Sequence, residues 1–233
     1  MHGTHLLGAG GDDSSGPLVW ISSPPWTTWS VVADSSAFPE GTHLAGLASL
    51  DGFLLAAGAV SELASERTVY PAQGGPIKER VFVQRPSVFL SRNGKSWRAV
   101  EGPPLQGSGG ELTFIAQAGS GSVVAVGIPE GEKGTTDGSR PSIAVTNDLE
   151  HWESSDLGGL ASHVFGVTML ASVNHQMLIG IDDWIGGRLY SWTPGGSAER
   201  LHGPADGAGV WYTAAADQGR DILLSGIDAS GRG

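Results

Sequence analysis

The chain has 233 residues, of which 37 are glycine and 13 proline, and its formal net charge is −11. That length supports one large all-β domain or two small ones with a proper core, and the acidic balance disfavours nucleic acid and anionic membrane surfaces as partners. The absence of cysteine excludes disulfides and cysteine-based metal sites. No apolar run approaches the ~18 residues of a membrane span, so no membrane insertion is expected. The opening MHGTHLLGAGG has neither the basic start nor the apolar length of a signal peptide.

The predicted elements repeat along the chain. A short apolar run closed by glycine occurs five times, as THLLGAG, GFLLAAG, SVVAVG, QMLIG and DILLSG, ending at Gly10, Gly58, Gly127, Gly180 and Gly226. Such runs read as buried strands, here termed b. A strand a precedes four of them: HLAGLAS from His43, ELTFIAQ from Glu111, HVFGVTM from His163 and GVWYTAA from Gly209. A strand c follows, as PLVWIS, RPSVFLS, RPSIAVT and GRLYSWT. It leads through a tight turn into strand d, as WSVV, WRAV and WESS. No segment shows a sustained helical period. Four-stranded antiparallel blades at this repeat length predict an all-β β-propeller of about four to five blades' worth of chain. The predicted units are a blade remnant over 1–40, blades over 41–109, 110–160 and 161–207, and a remnant over 208–233. The simplest reading is a partial propeller, whose open ends would offer surfaces for self-association.

The c–d turns carry a family resemblance. SRNGKSW (Ser91 to Trp97) and TNDLEHW (Thr146 to Trp152) share Ser or Thr, an Asn at the second or third place, and Trp six residues on; SSPPWTTW (Ser22 to Trp29) has Trp seven residues on. Blade four has Glu199 where the Trp is expected. These turns resemble the BNR, or Asp-box, repeat of sialidase-like and sortilin-like propellers, whose pattern is Ser/Thr-x-Asp-x-Gly-x-Thr-Trp. The resemblance implies a propeller, an extracellular or cell-envelope location, and a ligand face opposite the Asp-box turns. The turn itself reads as scaffold: Asn-Gly tolerates positive φ, the hydroxyl bonds backbone amides, and Trp fills the space between blades.

Function is therefore expected on the face of the b–c and d–a connections, where long irregular loops are predicted over 59–85 and 128–140. Acidic residues follow the b-strand glycines there, as Asp12, Glu62, Glu130, Asp182 and Asp228. Trp184 sits beside Asp182 and Asp183, an arrangement suited to sugar stacking or a protein hot spot. Together with Glu130, Arg140, Tyr70 and Arg80 these three form the candidate ligand-binding set. His43, Glu111 and His163 open strand a in three blades and form a candidate first shell for a divalent metal at the channel mouth. Trp20, Trp29, Trp97, Trp152 and Trp192 are expected in the core. A sialidase-like site would need an arginine cluster and a tyrosine nucleophile, but Tyr190 and Tyr212 fall in strands and no Phe-Arg-Ile-Pro segment is present. The expected function is a non-catalytic binding propeller for a glycan or protein ligand, with a glycan-acting hydrolase as the alternative.

Overall fold

The computed structural model describes residues 6–12, 16–25, 27–50, 52–71, 73–103, 105, 109–119, 121–129, 141–155, 164–174, 176–183, 186–203, 209–218 and 221–228. They form five antiparallel sheets in chain order. The first contains β1 (Leu6–Asp12), β2 (Gly16–Ser22) and β3 (Trp29–Ala33), occupying the b, c and d places. The second contains β4 (Thr42–Leu50), β5 (Phe53–Val69), β6 (Ile77–Ser91) and β7 (Arg98–Glu101). The third contains β8 (Gly110–Gln117), β9 (Val123–Pro129), β10 (Ser142–Thr146) and β11 (Glu153–Ser155). The fourth contains β12 (Val164–Val173), β13 (Gln176–Asp183), β14 (Gly186–Trp192) and β15 (Glu199–Leu201). The last pairs β16 (Val210–Gln218) with β17 (Asp221–Asp228), the a and b places. Successive sheets pack face to face, so the architecture is a β-propeller. Among the described residues no helix is long and apolar enough to cross a membrane.

The strand pattern explains the stacking. A strand between two blades must be apolar on both sides. In β5, Leu55 and Ala57 join Leu112, Ile115 and Ala125 of the third sheet, whereas Ala56 between them joins Val19 and Phe38 on the side of the first. In β13, Met177, Ile179 and Ile181 face the third sheet and Leu178 faces Tyr212 of the fifth. Each gap between blades thus has its own core. At the two ends the covering blade is missing among the described residues: Leu223 of β17 is 61% exposed and Val31 of β3 is 54% exposed. Trp29, expected in the core, belongs to this end sheet and is half exposed, because no neighbouring described blade covers it.

The b-strand glycines have a spatial cause. Strand a carries a β-bulge in four sheets, at Ala45, Thr113, Thr168 and Thr213, between the flanking register pairs. The partner strand places Gly58, Gly127, Gly180 or Gly226 beside it. A Cβ on Gly58 would lie 1.8 Å from the His43 carbonyl oxygen, and one on Gly127 would lie 2.7 Å from that of Glu111. The two backbones approach too closely for any side chain.

The c–d turns share one hydrogen-bond plan. Ser91 Oγ accepts from the Gly94 amide at 2.9 Å, while Asn93 Oδ1 accepts from the amides of Lys95 and Ser96. Thr146 Oγ1 accepts from the Leu149 amide, and Asp148 Oδ1 accepts from Glu150 and His151. Asp148, not Asn147, is therefore the counterpart of Asn93. Leu149 takes the left-handed φ of +65° that Gly94 takes at +73°, and its side chain packs against the core between the second and third sheets. Trp97 stacks on Phe38 of the preceding blade connection at 5.6 Å, and its indole N–H donates to Gly94 O. Trp152 packs against the core shared with the preceding blade in the same way. In blade four the tryptophan comes from the other end of the turn. Trp192 stands where Ser91 and Thr146 stand, is 2% exposed, and donates its indole N–H to Gly196 O at 2.9 Å.

Two outcomes are expected. Gly58→Ala should lower unfolding free energy by about 2–3 kcal/mol in chemical denaturation, the usual cost of forcing atoms into a packed contact; an unchanged midpoint would contradict the close approach. The second concerns the exposed turn pair, in which His151 Nδ1 lies 2.8 Å from Asp148 Oδ2. Hydrogen bonds from the His151 backbone and ring, chiefly, hold Asp148 below the ordinary carboxylate range, and Asp148 raises the imidazole in turn. The histidine's contribution is complete below its unfolded pKa of about 6.5 and is lost as pH rises through the higher folded value. The aspartate's is present above its unfolded value of about 3.9 and is lost as pH falls through the lower folded one. Asp148→Asn should return the His151 ring titration, followed by NMR, toward the ordinary value, and no change would refute the pairing.

Candidate functional site

The b–c and d–a connections gather on one face, opposite the c–d turns, because antiparallel strands alternate in direction. On that face a cleft of about 730 Å³ opens between the first and second sheets and reaches the start of β8. Its first wall is built from Gly10, Gly16 and Pro17, at the β1–β2 hairpin. Its rim is the d–a connection, where a single 3-10 turn over Ser35–Ala37 is capped by Asp34, whose Oδ1 accepts from the Ser36 amide at 3.0 Å. Thr42 and His43 of β4, Ser61 of β5, Gln84 of β6 and Glu111 of β8 complete it.

The segment over 59–85, expected as an irregular loop, is a two-stranded ribbon. β5 and β6 stay paired from Leu54↔Ser91 out to Val69↔Ile77, with one irregularity between Leu63 and Ser65. Its periodicity follows from the charges: Arg67 pairs with Glu79 at 2.6 Å, Glu66 with Lys78 at 2.6 Å and with Arg80 at 3.1 Å, and Arg85 with Glu62 at 2.6 Å. Each pair is exposed and individually weak, but together they favour one register. The cations, Lys78 foremost, draw Glu66 below the ordinary carboxylate range.

Two polar groups in the cleft wall are unpaired. Thr42 is 7% exposed and its Oγ1 has no hydrogen-bond partner. Gln84 Nε2 donates to Ser61 Oγ at 2.7 Å, leaving Oε1 without a partner. Turning the amide over would merely leave the other end free. A buried polar group in this state costs about 1–3 kcal/mol, and Trp152 Nε1, Thr168 Oγ1 and Tyr212 Oη, which do not line the cleft, share it.

The sequence-predicted residues fare differently. His43 and Glu111 are brought together, with Nδ1 and Oε1 at 2.6 Å, joining the second blade to the third. His163 lies outside the described residues. His43 pairs with Ala59 and Glu111 with Ile128, each one residue past the b-strand glycine. The corresponding position in the last sheet is Trp211, opposite Ile227, rather than Gly209. In the fourth sheet the residue that stands two before the bulge is Gly166. Among the described residues no three His, Asp or Glu side chains gather as a metal would require. Trp211 donates its indole N–H to Asp182 Oδ1 at 2.5 Å, so Asp182 joins the fourth and fifth sheets. Asp183 ends β13, opposite Val164 and Gly186. Tyr70 follows β5 at the ribbon tip and is 79% exposed; Arg80 is held by Glu66. Trp184, Glu130 and Arg140 lie outside the described residues. Tyr190 and Tyr212 are core residues, 3% and 2% exposed. Thr42, Ser61, Gln84 and the cleft itself were not legible as a site, since nothing in their local sequence marks them.

No family model matches the sequence, and no curated protein matches it. Solved structures do resemble it. A protein of unknown function from Dyadobacter fermentans shares 13% identity over 94% of this chain and 70% of its own, with a TM-score of 0.58. The β-1,2-mannobiose phosphorylase of Listeria innocua, in complex with β-1,2-mannobiose, shares 14% identity over 82% of this chain and 74% of its own (TM-score 0.44). The β-propeller domain of the trilobed protease from Pyrococcus furiosus, described as having an open velcro topology, shares 9% identity over 97% and 73% (TM-score 0.44). At these identities the likeness concerns fold alone.

The Asp182–Trp211 bond is expected to couple the last two sheets. A double-mutant cycle of Asp182→Ala and Trp211→Phe should show a coupling of about 1.5–3 kcal/mol, as for hydrogen bonds to a charged acceptor. Additive effects would remove this bond as a source of stability.

Proposed function

We propose that the chain is a non-catalytic binding propeller that holds its ligand in the cleft between the first two blades. The observation that carries this reading is the cleft itself, about 730 Å³ in volume on the face opposite the c–d turns, with Thr42, His43, Gln84 and Glu111 among its lining residues. A volume of this size lies within the range of about 300–1,000 Å³ typical of small-ligand sites. The c–d turns support membership in the BNR-like group: Ser or Thr, then Asn or Asp two residues on, bond the turn amides, and Trp seals the blade. In that reading the cleft lies on the face opposite the turns, where ligands of such propellers bind, and an extracellular or envelope setting follows from the same resemblance.

The test compares the two faces. Ligands would first be selected from a glycan array and a displayed peptide library. Ser36→Trp, at an exposed rim position, should abolish their binding, while Lys95→Trp in the opposite turn should leave it intact. The reverse pattern would move the site to the other face and sink the proposal.

A hydrolase is the second reading, favoured by Glu40 and Glu111 lining one cleft. Glycosidases use paired carboxylates. Here Glu111 is engaged by His43 at 2.6 Å, which ties up one of the two, and no turnover of nitrophenyl glycosides is expected. Turnover abolished by Glu111→Gln would establish the enzyme instead.

A further inference from the structure

Independently of the cleft, we infer that copies of this chain stack head to tail, the last sheet of one against the first sheet of the next. The two open ends are different surfaces. In the first sheet Val19 and Ala33 face the second sheet. Trp20, opposed to Val31, and Ser22, opposed to Trp29, therefore face away from it. Both indoles lie over a glycine of β1: a Cβ on Gly8 would lie 3.7 Å from Trp20 and 3.8 Å from Trp29. The result is an apolar plate on which Val31 and Trp29 are 54% and 50% exposed, and β2 and β3 carry no charged residue. In the last sheet Leu224 faces the fourth sheet. Leu223, Ser225 and Ile227 therefore face outward, beside the exposed Ala214 and Ala216 of β16. Leu223 is 61% exposed and Ile227 43%.

The interior gaps show what such faces pair with. Leu55 and Val124 stand three residues before Gly58 and Gly127, as Leu223 stands before Gly226. Both are fully buried, each beneath the following sheet. Phe89 stands two residues before Ser91, as Trp20 stands before Ser22. It is fully buried and meets Phe38 of the preceding blade connection at 5.5 Å. Trp97, the counterpart of Trp29, stacks on the same ring. Each interior gap thus joins the following face of one sheet to the preceding face of the next. The chain carries one uncovered face of each kind, and within one copy they do not cover each other, since both stand open among the described residues. A second copy presents the matching face to each. Two like faces have no counterpart in any interior gap. A head-to-tail contact leaves one face open at each end, so it extends until it closes on itself. The last sheet offers two described strands, about 5 Å apart. Its footprint is smaller than the about 800 Å² per partner of a standard interface, which sets association in the micromolar range.

The experiment is sedimentation equilibrium of the full chain from about 1 to about 500 μM. The average mass is expected to rise with concentration. Leu223→Lys and Val31→Lys each place a charge in the contact, and each variant alone should stay monomeric over the whole range. Both positions are more than half exposed, so either monomer should melt as the unaltered chain does. An equimolar mixture of the two should form a dimer that grows no further, because the first variant keeps its first-sheet face and the second keeps its last-sheet face. Ile227→Lys and Trp29→Lys, on the same two faces, should behave alike. An unaltered chain that stays monomeric overturns the inference, whether its ends cover each other or await a different protein. A single variant that associates as the unaltered chain does overturns it too, since like faces or another surface would then make the contact. So does a mixture that remains monomeric with both pairs of variants.

Discussion

The structure depends on one close contact, the approach of a glycine in each second strand to a bulge in the first. With a side chain at Gly58 or Gly127, the carbonyls of His43 and Glu111 could not stand where they do. The bulge bends the inner strand, and the glycine lets its partner follow without opening the hydrogen-bond ladder. Blades bent in this way can stack around an axis and still bury both faces. The same contact sets the positions of His43 and Glu111 at the cleft, so the repeat that builds the scaffold also places the groups at its mouth.

A second layer of order runs between blades. Tryptophans from three successive c–d turns press against the preceding blade, through Trp97, Trp152 and Trp192. On the opposite face, residues at one register position reach across the gap. His43 meets Glu111 of the next blade, and Trp211 meets Asp182 of the previous one. The blades are thus fastened at both ends by different chemistry: large apolar bodies below and short polar contacts above. This explains why residues that look like an ordered ring of ligands in the sequence act in pairs in the structure. Each pair is consumed in joining neighbours.

The repeat was legible in the sequence because buried strands covered on both faces read as short apolar runs, and close backbone contact leaves a glycine at each. The features missed have physical causes. The ribbon over 59–85 was hidden because its strands are solvated on both sides, and solvated strands lack apolar runs; its register is written in complementary charges such as Glu66 with Arg80 and Arg67 with Glu79. Trp192 lies in the core as expected, but its sealing of the turn was not legible, because a tryptophan can seal it from either end. The cleft draws on Thr42, Gln84 and Pro17 from separate elements, and no local motif records their meeting.

Beyond Glu62 the ribbon is fastened chiefly to itself, by its ladder and its ion pairs, while the blades draw their stability from the cores beneath. Changes in its outer strands therefore leave the blade cores intact. An arm of this kind can be lengthened, shortened or rewritten while the blades beneath persist. Divergence among relatives of this chain would then be concentrated in the arm, with the glycines and bulges held constant, and kinship would be easier to see in shape than in sequence.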